Sequence, residues 1–169
     1  VQGKNEDDLF QAIASSDTNK VAQLVDNHGQ DVRDSYGRSP LVAAAVSGNP
    51  SIVRLLLSKH ASANPEFNGI PLITISATQI PCRQAVLKEL IQAGADPNAV
   101  SHISPEAPVL GASSFGSYEC VVELLKGGAN PNAIDTKGRG VLSLMAVSGD
   151  QNSFDLLIRF DASDVVTDY

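Results

Sequence analysis

Apolar residues fall into one grouping five times along the chain. Val21, Leu24 and Val25 form the first group, followed by Val53, Leu56 and Leu57, then Leu87, Leu90 and Ile91, then Val121, Leu124 and Leu125, then Phe154, Leu157 and Ile158. Positions i, i+3 and i+4 share one face of a helix, so each group predicts an amphipathic helix. Each group is followed at a fixed distance by a helix-ending pair: His28-Gly29, His60-Ala61, Gly94-Ala95, Gly128-Ala129 and Asp161-Ala162, spaced 32, 34, 34 and 33 residues apart. Five recurrences in phase mark a repeat array, in which a unit buries its apolar face against the next unit and not within itself.

A shorter helix precedes each of these. Pro40 to Gly48 sets the pattern, Pro108 to Gly116 keeps it, and Val141 to Gly149 keeps it with valine in place of proline. Proline suits a first helical turn, where its missing N–H had no partner, and glycine at the far end permits the left-handed residue that stops a helix. Ala43, Ala44, Ala112 and Ala146 are small enough to let the paired helices lie close. Turn residues separate the units: Asp34 to Gly37, Asn68-Gly69 and Asp135 to Gly138.

Gly94-Ala95-Asp96-Pro97-Asn98, the related Gly128-Ala129-Asn130-Pro131-Asn132, and the run from Asp34 through Gly37 to Ser39-Pro40-Leu41 resemble the ankyrin repeat over roughly residues 6–165. The resemblance implies an all-α solenoid of stacked helix–turn–helix units with projecting β-turn or hairpin loops. One domain is expected over 1–169, with an N-terminal capping repeat at 5–32, repeats at 33–64 and 99–132, an irregular repeat at 65–98, and a C-terminal cap at 133–165.

Departures from the family pattern carry their own expectations. The histidine that usually follows Pro-Leu is absent, leaving Val42, Ile73, Leu110 or Ser143 there, so the turns lack that brace. His28 and His60 sit where glycine usually ends the helix. The stretch from Ser76 to Gln84 is about three residues long for the pattern, contains Pro81 and has no terminating glycine; Ala99 to Ala107 has Pro105 where a turn glycine belongs. The loosest packing and fastest hydrogen exchange are therefore expected around 74–85 and 99–107.

Composition narrows the function. With 43% hydrophobic residues, 5% aromatics and no tryptophan, the core must be aliphatic. The net charge of −7 argues against general nucleic-acid binding, which needs clustered cations to release counterions. The charge is polarised: residues 1–31 and 150–169 each carry −4 and the middle +1, as terminal units facing water require. No apolar run approaches a membrane span, and no signal segment is expected. Cys82 and Cys120 lack a recognisable disulfide framework, which fits thiols in a reducing compartment, Cys82 in an interhelix loop and Cys120 in the core. A cytoplasmic or nuclear setting is expected.

Catalytic and metal constellations are not apparent. Arg83 beside Cys82 could lower a thiol pKa, but no base or third partner accompanies it. His28, His60 and His102 are scattered without ligand spacing, and the glycine pairs lack a phosphate-loop lysine. The reading is a non-enzymatic chain without metal or cofactor.

The resemblance implies instead that turn tips and first helices form a face for a protein or peptide partner. Candidate binding residues are Arg33, Ser35, Tyr36 and Arg38 in the first full unit, Phe67, Asn68 and Ile70 in the next, His102 and Ile103, then Phe115 at a helix end, and finally Lys137 and Arg139. Tyr36, Phe67 and Phe115 stand out because the chain holds only eight aromatics, and aromatics and arginine anchor interfaces. Against this, Phe67 or Phe115 could fold down over the irregular repeat and Tyr36 could be a bare turn tip. The tip cations suit an acidic partner segment. A monomeric interaction module is expected, with a regulatory or targeting segment of a larger enzyme, channel or pathogen effector as the alternative.

Overall fold

The computed structural model describes residues 2–28, 32–103 and 105–148, and within them helices pair and stack in two rows. The first row holds α1 (Gln2–Ala14), α3 (Pro40–Ser47), α5 (Leu72–Ala77), α7 (Pro108–Ser114) and α9 (Val141–Ser148). The second holds α2 (Thr18–His28), α4 (Pro50–Ser58), α6 (Gln84–Gln92) and α8 (Tyr118–Lys126). From α1 to α8 each helix contacts its partner across the rows and its counterpart in the neighbouring unit along its own row, and α9 packs on α7. A short antiparallel hairpin, β1 (Glu66–Phe67) and β2 (Ile70–Pro71), projects between α4 and α5. The expected fifth long helix, around Phe154 to Ile158, lies outside the described residues.

The recurring apolar positions are where the stack closes. Val21, Val53, Leu87 and Val121, equivalent in four successive units, are each fully buried. Burying one such side chain stabilises by about 1.5–3 kcal/mol, and none of these could be buried by a single helix pair alone. Ala43, Ala44 and Ala112 are buried where the rows meet; Ala146, by contrast, lies on an exposed side of α9.

Helix ends obey the same register. Ser39 and Asn49 cap α3 and α4, their side-chain oxygens accepting from the Val42 and Ile52 N–H groups at 3.3 and 3.1 Å. The second-row helices α4, α6 and α8 stop at His60, Gly94 and Gly128, all with positive φ. His60, at φ 68°, is the exception in type: a side chain there costs about 1 kcal/mol that glycine avoids.

Asparagines stitch the units together. The Asn64 side chain accepts from the Asp96 N–H at 2.8 Å and donates to the Gly94 carbonyl at 3.3 Å. Asn98 repeats this one unit on, accepting from the Asn130 N–H at 2.8 Å and donating to the Gly128 carbonyl at 3.0 Å. Each amide therefore reads a full repeat of sequence separation and fixes the vertical register. On the second row, Arg54 of α4 forks onto Glu89 of α6 at 2.6 and 2.9 Å.

The irregular loop departs from expectation. The cysteines are not separate thiols: Cys82 is disulfide-bonded to Cys120 in the first turn of α8, with Cα atoms 6.1 Å apart. Its neighbour Arg83 reaches the other way, donating from its guanidinium to the Val46 carbonyl at the end of α3 at 3.4 Å. That guanidinium lies directly over Gly48 (φ 75°), in the space a Cβ there would occupy. The extra residues after α5 thus clamp backward to the preceding unit and forward to the next. These two ties lie within 74–85, the stretch expected to pack most loosely, in which Ile80 remains 78% exposed. The additional length supplies reach, which a loop of normal length would lack.

The bond closes a sequence separation of 38 residues, for which loop-closure entropy predicts about 4 kcal/mol of stabilisation. Urea unfolding of Cys82→Ser, compared with the oxidised parent, should show a loss of that order. Equal midpoints for the two would show that the bond contributes no stability.

Candidate partner-binding surface

The first and last of the described tips are each built from one carboxylate. Asp34 opens a turn in which its Oδ1 accepts from the Tyr36 and Arg38 N–H groups at 2.9 and 2.8 Å. Its Oδ2 accepts from Arg38 Nε at 2.7 Å, with a second guanidinium nitrogen also at 2.7 Å. Asp135 repeats the arrangement, with Oδ1 accepting from Lys137 and Arg139 N–H groups at 2.8 Å each and Oδ2 from Arg139 Nε at 2.7 Å. Carboxylate, backbone and guanidinium brace these turns in place of the missing histidine. Neither aspartate is among the binding residues expected from the sequence. The signal was in the sequence: an aspartate, two residues, then Gly-Arg, at Asp34 to Arg38 and again at Asp135 to Arg139.

This pairing alters the electrostatics expected of the tips. Arg38 and Arg139 spend their guanidinium groups on Asp34 and Asp135, so each tip is an internal ion pair and not a free cation. Arg38 also lies over the Tyr36 ring, 4.9 Å from its centroid, holding an aromatic that is 74% exposed. Cation and ring in this geometry attract, which stiffens the tip that carries them.

The next two tips are joined. In the hairpin, Asn68 (φ 54°) and Gly69 (φ 75°) form the two-residue turn with positive φ at both positions that suits the strand twist. Ser101, from the following unit, is buried and donates from its hydroxyl to the Gly69 carbonyl at 3.1 Å, while accepting from the Ile103 N–H at 3.0 Å. Ile103 lies against Gly69, within 3.6 Å of where a Cβ would stand, and is otherwise 72% exposed. The segment expected to be loose for want of glycine is held here by one serine.

The remaining candidates separate into groups. Arg33, Ser35, Asn68, His102 and Lys137 are exposed on or beside the tips, and Ile70 is half-buried in β2. Phe67 is half-buried and packs on the core, as the covering alternative anticipated. Phe115 is 53% exposed but caps the far end of α7 from the tips, about 10 Å along a seven-residue helix. The three aromatics therefore do not form one cluster: Tyr36 is at a tip, Phe67 supports the hairpin, and Phe115 stands at the opposite helix end. Among the described residues no group of three His, Cys, Asp or Glu side chains is placed to hold a metal ion, and no helix is long and apolar enough to cross a membrane.

Comparison with known proteins decides the family. A model of ankyrin repeats in three copies matches residues 3–68, and a single ankyrin-repeat model matches residues 109–136. The chain belongs to the ankyrin-repeat family. Relatives include the ankyrin repeat protein nuc-2 of Neurospora crassa, 30% identical over 88% of this chain and 14% of that protein. Dauer abnormal formation protein 25 of Caenorhabditis elegans is 31% identical over 67% of this chain and 29% of its own length. Neurogenic locus notch homolog protein 1 of Danio rerio is 30% identical over 63% of this chain and 4% of its length. The chain thus spans less than a third of each of these relatives. Ankyrin repeats are in general protein–protein interaction modules and form a non-catalytic fold.

The tip carboxylates carry a pH signature. Burial pushes the Asp34 and Asp135 carboxyls up, but hydrogen bonds from Arg38, Tyr36, Arg139 and Lys137 outweigh it and hold both below the usual aspartate value of 3.8. The Arg54 fork likewise holds Glu89 below 4.5. A carboxyl lowered in the folded state stabilises fully above its unfolded value and loses that contribution as pH falls through the lowered one. Asp34→Asn and Asp135→Asn should therefore be less stable than the parent at pH 6, with the gap narrowing as pH falls below about 4. Thermal unfolding from pH 6 to pH 2.5 measures this. A gap independent of pH would remove the ionised carboxylates from the account.

Proposed function

We propose that this chain recognises a partner protein or peptide along its row of tips and the adjoining first-row helices. The observation that carries this reading is the joined pair of tips formed by the hairpin and the segment 101–103, which presents Ile103 exposed beside Asn68 and His102. Tyr36, held by Arg38, extends the apolar character to the preceding unit. An exposed large apolar side chain on a rigid turn is a low-entropy anchor for binding, because little freedom remains to be lost. With Arg38 and Arg139 neutralised by their aspartates, apolar contact and backbone shape dominate recognition beside them, and Arg33 and Lys137 are the exposed cations left to meet an acidic segment.

A second reading, as the regulatory or targeting portion of a larger protein, draws support from the relatives, in which the matched region is 4% to 29% of the whole. The two readings are compatible, since a targeting segment acts by binding. The bonded cysteines remove the argument for a reducing compartment that separate thiols would have made, as disulfides persist in oxidising settings.

Tyr36→Ala with Ile103→Ala should abolish capture of partners from a native extract while leaving helical circular dichroism and the unfolding midpoint unchanged. Phe67→Ala is the control for structure: it should lower the midpoint, because that ring packs on the core. Capture that survives the double substitution would reject the tip row as the binding face.

A further inference from the structure

One loop of the stack lacks the ending that its counterparts share. Gly48 and Asn49 join α3 to α4, and Phe115 to Ser117 join α7 to α8, each join turning on a left-handed glycine, Gly48 at φ 75° and Gly116 at φ 65°. The join from α5 to α6 is longer, running from Thr78 to Arg83, and none of its residues has a positive φ. No N–H group from Gln79 to Arg83 donates to a backbone carbonyl, so the backbone does not hold the loop in shape. Side chains do so instead. The Arg83 guanidinium donates to the Val46 carbonyl at 3.4 Å and to Gln79 Oε1 at 3.3 Å, and Cys82 is bonded to Cys120.

The two sulfurs stand in different surroundings. Cys120 is fully buried and takes the register position of Ile52 and Val86, which are buried as well. A thiol there packs as a small apolar side chain, so the contact between α6 and α8 does not need the bond. Cys82 is only half-buried and follows the exposed Pro81.

We infer that Cys82 and Cys120 form a reversible redox switch, which fixes the α5–α6 loop when oxidised and releases it when reduced, with the stack folded in both states. The reductant is a dithiol. One of its thiolates attacks Sγ of Cys82, the more accessible of the two; the bond to Cys120 breaks, and the Cys120 sulfur leaves with the electron pair and takes up a proton. The reductant's second thiolate then attacks the reductant's own sulfur in the mixed disulfide. That step closes the reductant's disulfide and frees Cys82, which is protonated in turn. Two electrons pass from dithiol to protein, and a disulfide oxidant reverses both steps.

Release acts on the neighbouring unit too. Without the bond, Arg83 ties the loop to α3 by a single long hydrogen bond, and its cover over Gly48 is lost with the loop's order. Ile80, 78% exposed, keeps one position only while the loop is tied. None of these residues lies in the tip row, so switch and tip recognition can fail separately.

Backbone amide relaxation, measured by nuclear magnetic resonance on the whole chain before and after dithiothreitol, reads the switch. Order parameters for Ile80, Cys82 and Arg83 should fall from about 0.85 to below about 0.6, while those of α6 and α8 stay near about 0.85. Oxidised glutathione should restore the first values. In the reduced protein, iodoacetamide should modify Cys82 at least about tenfold faster than Cys120, because access sets the rate. Cys82→Ser should show the released loop without any reductant. A bond that dithiothreitol leaves intact in the folded protein would overturn the switch, as would a loop that stays ordered after reduction or in Cys82→Ser. Equal modification of both cysteines, or loss of order throughout α6 and α8, would overturn it by showing that the fold itself requires the bond.

Discussion

Every helix pair in this chain is too small to bury its own apolar face, and that single constraint organises the rest. Val21, Val53, Leu87 and Val121 are buried because another unit covers them, so stability is shared between neighbours. Sharing demands a fixed vertical register, and the Asn64 and Asn98 amides supply it by bonding backbone a full repeat away. Once the register is fixed, everything attached to the helix ends is placed as well: caps, left-handed stops, tips and the clefts between them.

Placement by register makes the surface a set of near-identical positions that differ only in side chain. The tips illustrate this, with Asp34 and Asp135 forming the same brace in units far apart. Two grooves illustrate the opposite, one lined by Arg33 and Lys59 and the next by Glu66 and Asp96 on the same backbone frame. A repeat scaffold therefore allows chemistry to vary along its length without altering the packing beneath.

Much of this was legible in the residues. The period gave both helix rows, and the leading position of the first four i, i+3, i+4 groups (Val21, Val53, Leu87, Val121) is fully buried, while Leu24, Leu57 and Ile91 are only half-buried. What escaped was interaction across units, because a period describes what recurs and not what reaches between recurrences. Excess length between Ser76 and Gln84 read as an irregularity in the pattern, yet it lets Cys82 meet Cys120 and Arg83 meet Val46. Absence of the usual histidine read as a weak turn, although Asp34 and Arg38 brace it by other means. The aromatics stood out by rarity, but rarity does not fix direction: Phe67 turns inward, Tyr36 outward, and Phe115 occupies the far helix end.

The covalent link between Cys82 and Cys120 has a mechanical meaning. A stack of this kind, pulled from its two ends, peels apart unit by unit and gives up its contour length in steps. The bond shunts the pulling force past the 38-residue span, so that about 130 Å of extended chain stays out of reach while the sulfurs remain joined. The middle of the array then behaves under load as a rigid bead between two extensible arms.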